Sequence, residues 1–354
     1  MAHDSLYAAP TSGPDTERES GRLAGLRGAL GTWDAAIVAV LVVAVLLASL
    51  SVQNFATGRN VQFLLLDLVP LALLALPMTL IVITGEIDLS VASTVGLSST
   101  LMGQMWLSSG LSLELICVLV VLIGAVLGAV NGLFVTGFGL PSLAVTIGTL
   151  ALYRGLSFVV LGDQAVADFP ANWTATAVQA IPGTSIPAAV VPVLLLALVF
   201  GVVLHATPVG RALYAMGNND EAATFAGVSV ARTKFWLFVV SGAVGGLVGI
   251  FWTLRYASAR GDNATGLELT VVTAVLLGGV SIFGGRGGLL GVVAGVLLLG
   301  VLRNALQLAD VDANALTIVT GTLLILSVVL PNAVADIRAR LHRRRRRRTQ
   351  LSAS

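Results

Sequence analysis

Seven ionisable residues stand inside or at the ends of long apolar runs: Asp67, Glu86, Asp88, Glu114, Arg154, Glu268 and Arg303. A charge at the centre of a bilayer is unfavourable by at least about 2.5 kcal/mol, so such residues line a polar path, pair with one another or sit near a helix end. Glu86 and Asp88 flank Ile87 between two apolar runs. That position suits a cap on the following helix, whose amino-terminal dipole favours negative charge. The alternative is an inner gate or a polar lining for a hydroxylated solute. Thr84, Ser90, Ser93, Thr94, Asn131, Thr270 and Thr273, with Glu268, would then supply the remaining hydrogen-bonding groups. The acids cluster near the ends of runs rather than mid-helix, which disfavours a proton relay. No helix repeats arginine at every third residue, which excludes a voltage sensor, and no nucleophile elbow or HExxH supports a membrane protease, so catalysis on this chain is not expected. One cysteine, Cys117, excludes a disulfide framework; His3, His205 and His342 lack metal-ligand spacing, and no cofactor is expected on the chain.

The elements that must position these groups are membrane helices. Of 354 residues, 56% are hydrophobic and 11% charged, and the mean hydropathy is +0.94. Soluble domains carry about 25% charged residues. So few charges could not enclose this much apolar sequence in water, whereas in lipid no such enclosure is needed. Apolar runs long enough to cross a core about 30 Å thick fall at 33–52, 61–84, 88–108, 111–135, 141–161, 187–205, 234–256, 267–283, 288–308 and 314–331. The expected fold is therefore all-α and polytopic, with about ten transmembrane helices. With the amino terminus inside, fifteen Lys and Arg fall on the cytoplasmic side and five on the other, in keeping with the positive-inside bias. An even number of spans then places both termini in the cytoplasm.

Three regions follow: a polar cytoplasmic tail over 1–31, the membrane domain over 32–336 and a basic cytoplasmic tail over 337–354 with six arginines from Arg343 to Arg348. That run suits a solvated stop signal touching anionic lipid. The outer loop 162–186, with Asp163, Asp168, Pro170, Trp173 and Pro182, suits a short ordered cap or docking surface. The other connections leave no room for a nucleotide-binding domain. TGEIDLS (84–90) with NGL (131–133), and TGLELT (265–270) with NAL (304–306), form a candidate inverted repeat, five spans apart, for which chance likeness of apolar segments is the alternative. Glycines at intervals of four (Gly124, Gly128 and Gly132; Gly242 and Gly246; Gly291 and Gly295) suit close helix packing; a pathway or subunit interface is the other use of such a face.

The inner loop TPVGRALYAMGNNDEAATFAGVSVARTK (207–234) carries the sharpest pattern. Asn218 or Asn219 can cap a helix of about two turns, Asp220 and Glu221 complement its dipole, Ala222, Ala223, Phe225 and Ala226 give it an apolar side, and Gly227 can end it. It would either lie in the membrane interface or form a rigid knob for another protein. The stretch 210–242 resembles the coupling-helix region of ABC importer permeases of the ribose, xylose, rhamnose and autoinducer-2 class. The likeness extends to ITGEIDLSVAS (83–93), to 131–159 and to 267–308, and so covers about residues 60–331.

By that resemblance Asn218, Asn219, Asp220, Glu221, Ala222, Ala223, Phe225 and Gly227 dock on a separate ATPase subunit. Two permeases, identical or different, two ATPases and an extracytoplasmic solute-binding protein then make a monosaccharide importer of the bacterial cytoplasmic membrane. ATP would be bound by the partner, and nucleic acid by none of them. The same architecture could carry autoinducer-2, a nucleoside or a branched-chain amino acid; an ion-coupled secondary transporter or a membrane scaffold without transport are the readings from other classes. One departure stands out: relatives commonly show two glycines before IDLS, where this chain has Gly85 and Glu86.

Overall fold

The computed structural model describes residues 33–312 and 314–329. The two expected tails, the six-arginine run and the last residues of the expected membrane domain lie outside the described residues. Within those described, the chain is all-α, with two isolated bridges, Val166 with Ala259 and Ala180 with Pro187. The helices are α1 (Trp33–Ser51), α2 (Gly58–Ile83), α3 (Val91–Ser108), α4 (Leu113–Thr136), α5 (Ser142–Leu161), α6 (Ala171–Val178), α7 (Val190–Ala206), α8 (Pro208–Asn218), α9 (Asp220–Phe225), α10 (Val230–Tyr256), α11 (Leu267–Leu277), α12 (Leu289–Leu308) and α13 (Asn314–Val329).

Each of the ten expected spans contains a helix, but length and hydropathy support fewer crossings. Among the described residues α1, α2, α4, α5, α10 and α12 are long and apolar enough, and α7 with α8 passes as a pair bent by 69°. That gives six or seven. The difference lies in α3, diluted by Ser93, Thr94, Ser98, Ser99 and Thr100, and in the short α11 and α13. The expected helix 267–283 stops at Leu277. Gly278 and Gly279 follow it, and Gly279 takes a φ of +88°, a left-handed conformation open to glycine at no steric cost.

α2 is the central helix. Eighty-nine per cent of its apolar stretch is buried, and it packs against α7, α10, α11 and α12. A helix that is apolar all round belongs in such a position; Pro70 and Pro77 lie within it. The glycine stripes lie at helix contacts. A Cβ on Gly128 would stand 2.1 Å from the Phe238 carbonyl oxygen, and one on Gly242 would stand 2.1 Å from that of Gly124. α4 and α10 therefore touch backbone to backbone, which lets dispersion hold helices together where lipid offers no hydrophobic drive. Gly291 and Gly295 bring α12 onto the end of α11 in the same way.

The candidate repeat has a structural counterpart. Gly85 before α3 and Gly266 before α11 both adopt positive φ, +81° and +83°. Helix α3 packs on α10, and α11 packs on α2; within each half α3 meets α4 and α11 meets α12. The loop expected on the outer side, 162–186, is ordered around α6, where the Trp106 indole Nε1 donates to the Asp168 carbonyl at 2.7 Å and stacks on Phe169.

Candidate functional site

The loop expected on the inner side, 207–234, begins where α7 ends. Thr207 accepts from the Gly210 amide through its hydroxyl, and Pro208 occupies the first turn of α8, where a missing N–H removes no helical bond. The resulting bend lays α8 along the end of the bundle with Gly210, Leu213 and Met216 inward. Tyr214 then donates its hydroxyl to the Gly287 carbonyl at 2.7 Å.

Asn218 and Asn219 have different tasks. Asn218 donates its amide to the Tyr214 carbonyl at 2.7 Å, closing α8. Asn219 Oδ1 accepts from the Ala222 amide at 2.9 Å, so Asn219 is the cap of α9. Six residues form α9, a little under two turns at about 3.6 residues per turn. Gly227, at φ +85°, ends it and lets the Val228 amide reach back to the Ala223 carbonyl. Of the eight expected docking residues, Ala223 alone is buried; Asn218, Asn219, Asp220, Glu221, Ala222, Phe225 and Gly227 are exposed. Phe225 is 92% exposed.

This module is joined firmly to the bundle. A Cβ on Gly217 would stand 1.9 Å from the Ile83 carbonyl oxygen and 2.3 Å from the Gly285 nitrogen, and the Gly285 amide donates to the Ile83 carbonyl at 2.9 Å. The end of α8, the 83–86 turn and the 278–288 turn therefore meet backbone on backbone.

A second connection is ionic. Lys234, the fifth residue of α10 and 6% exposed, donates its ammonium to Glu86 Oε1 at 2.7 Å and to Asp220 Oδ2 at 2.5 Å. Three elements converge on this one cation: the first residue of α9, the turn before α3 and the start of α10. The pair borders a crevice of about 740 Å³ that also includes Thr136, Leu140, Thr224 and Arg232. Sequence reasoning missed Lys234 and took it as one more positive charge on the inner side. The signal that could have found it is Glu86, an acid in a turn between two apolar runs, which needs a cation nearby.

Glu86 is thus engaged by Lys234 rather than by the amides that open α3, and its side chain borders the crevice. Asp88 does act at the start of α3. Its Oδ1 accepts from the Ser90 amide at 3.0 Å and the Ser90 hydroxyl at 2.6 Å, and its Oδ2 accepts from the Ser241 hydroxyl at 3.0 Å. Asn131 donates to the Ser90 hydroxyl at 2.7 Å. Asp88, Ser90, Asn131 and Ser241 therefore form a buried network tying α3, α4 and α10 together, beside the ion pair. Glu268 and Thr270 are not part of it. They lie in the first turn of α11, beyond the far end of α10, whose 27 residues span roughly 40 Å. The expected pathway set therefore falls into two groups: Asp88, Ser90 and Asn131 meet α10 near its middle, at Ser241, and Thr270 shares a cavity with Arg255 toward its end.

Residues 60–328 match the family described as branched-chain amino acid transport system / permease component. Among curated relatives, the Autoinducer 2 import system permease protein LsrD of Yersinia pseudotuberculosis serotype O:1b (strain IP 31758) is 32% identical over 303 residues, 84% of this chain and 90% of the relative. LsrD of Yersinia pestis (strain Pestoides F) is 31% identical with the same coverage. No solved structure matches. With the match running from α2 into α13 and so taking in both the inner module and the helices it grips, the chain belongs to this family of multi-pass membrane permeases.

Proposed function

We propose that the chain is the permease subunit of an ATP-driven importer for a small hydroxylated solute of the monosaccharide class. Its function is translocation, and ATP is bound and hydrolysed on separate cassette subunits in the cytoplasm. Two permeases, two ATPases and an extracytoplasmic solute-binding protein complete the assembly in the bacterial cytoplasmic membrane. The observation that carries this reading is α9: a capped, outward-facing helix with an exposed aromatic, tied to the core by Gly217 and by Lys234. A force applied to α9 reaches the turn before α3 through the Glu86–Lys234–Asp220 bridge, and from there the Asp88 network is adjacent. Autoinducer-2 is a second reading, favoured by the relatives named above.

Reconstitution in proteoliposomes tests the proposal. With the neighbouring ATPase and binding protein present, uptake should require ATP and fall at least about tenfold when ATP is omitted. Uptake driven by an ion gradient without those partners would contradict it.

A further inference from the structure

The end of α10 remote from Lys234 holds a second polar cluster. Asp67 of α2 is paired with Arg255, whose side chain is 7% exposed. Arg255 Nη1 is buried and has no hydrogen-bond partner. A guanidinium N–H left unsatisfied in the interior is costly and needs an explanation. Here it borders a cavity of about 210 Å³ lined also by Trp252, Tyr256, Arg303 and Gln307. Arg303 reaches Thr270 only at 3.4 Å, so its guanidinium too retains donor capacity. Beyond Arg303 a neighbouring cavity of about 290 Å³ continues along Thr270, Thr273 and Thr320.

The chemistry of the lining is specific. Guanidinium groups offer donors in a fixed fork, Asp67 accepts, and the Gln307 amide does both. Trp252 and Tyr256, with ring centroids 5.3 Å apart, add flat apolar surface. A polyol matches this mixture, because each hydroxyl both donates and accepts while the C–H faces of the molecule are apolar. Asp67 offsets the charge of Arg255, and Arg303 leaves one positive charge in the lining, so an anion of similar size is the competing occupant. Liquid water occupies about 30 Å³ per molecule, so the cavity holds about seven waters' worth of solute. That volume suits a five- or six-carbon compound.

We infer that this cavity is a solute-recognition site on the permease itself, for a neutral five- or six-carbon polyol; the inference rests on the import reading above. Selection of the cargo is then shared between the external receptor and the permease, with Trp252, Arg255, Arg303 and Gln307 as the contacting groups and Thr270 holding Arg303 in place.

The test is thermal unfolding of the purified chain titrated separately with D-ribose, D-xylose, L-rhamnose and, as an anionic analogue, D-ribonate. A ligand bound to the native state raises the midpoint in a saturable way. At least one of the three neutral sugars should do so, and the response should weaken at least about fivefold in Trp252→Leu and in Gln307→Leu. Gln307 is exposed, so the second variant keeps the wild-type midpoint without sugar. A response to ribonate alone, no response to any sugar up to about 0.1 M, or unchanged titrations in both variants would overturn the inference. ATP-dependent uptake by the assembled importer is measured in parallel. Uptake without any cavity effect removes the site and spares the import reading; a cavity effect without ATP-dependent uptake does the reverse.

Discussion

Replacing Lys234 by Met should reduce ATP-driven uptake by at least about tenfold while ATP hydrolysis continues. Lys234 is 6% exposed and binds Glu86 at 2.7 Å and Asp220 at 2.5 Å. Methionine fills nearly the same volume but cannot carry the charge. The Glu86 side chain is 18% exposed, so it would be left as an almost buried carboxylate without a cation. Breaking a buried pair from one side typically costs about 3–5 kcal/mol; the exposed half of the bridge, at Asp220, contributes less because water screens it. The stability loss and the transport loss separate in the double variant Lys234→Met with Glu86→Gln. Of the three bridge groups that protein keeps only the half-exposed Asp220 charged, and it should recover most of its stability. It should not recover coupling, because α9 still lacks its ionic link to the turn before α3. Uptake and ATPase rates measured on the same reconstituted complexes provide the comparison. Wild-type uptake in the single variant would show that the backbone contacts of Gly217 transmit the motion unaided.

Introducing a charge at Phe225 should release the ATPase without disturbing the permease. Phe225 closes α9 and is 92% exposed, whereas Ala223 beneath it is 3% exposed. The aromatic ring therefore contributes little to the fold of the chain and is available to a partner. Exposed aromatics that enter a pocket on a partner typically account for about 2 kcal/mol or more of binding, and about 1.4 kcal/mol corresponds to a factor of ten. Phe225→Asp should accordingly weaken binding of the ATPase subunit at least about thirtyfold, with the thermal unfolding midpoint of the permease unchanged. Affinity measured between purified permease and ATPase checks this directly. An unchanged affinity would mean that docking does not use this face of α9.

The all-helical, multi-pass architecture was legible in the sequence because lipid imposes a simple length rule; each of the ten expected spans contains a helix, but among the described residues only six or seven crossings meet that rule. Its exceptions are local. The expected span 267–283 was read through Gly278 and Gly279, whose left-handed turn stops α11 at Leu277; a glycine pair inside an apolar run was the available warning. The inner helix was legible in detail, since capping and termination depend on neighbours in sequence: Asn219 and Gly227 act within a few residues of themselves. Lys234 was not, because its partner Glu86 lies 148 residues away and a lysine opening an apolar helix also serves as a topology signal. The same holds for Asp67 and Arg255, 188 residues apart. The pathway set was assembled from residue type alone, so Asp88 and Thr270 were grouped although Asp88 meets α10 near its middle and Thr270 shares a cavity with Arg255 toward its end.

The side of the membrane on which α9 stands is open to a single measurement. In a Cys117→Ala background, Glu221→Cys places a thiol at an exposed position of α9. A membrane-impermeant thiol reagent should leave it unlabelled in intact cells, label it in inside-out vesicles, and lose access again when purified ATPase is added. Labelling from outside intact cells would place the helix on the wrong face for a cytoplasmic motor and contradict the coupling scheme.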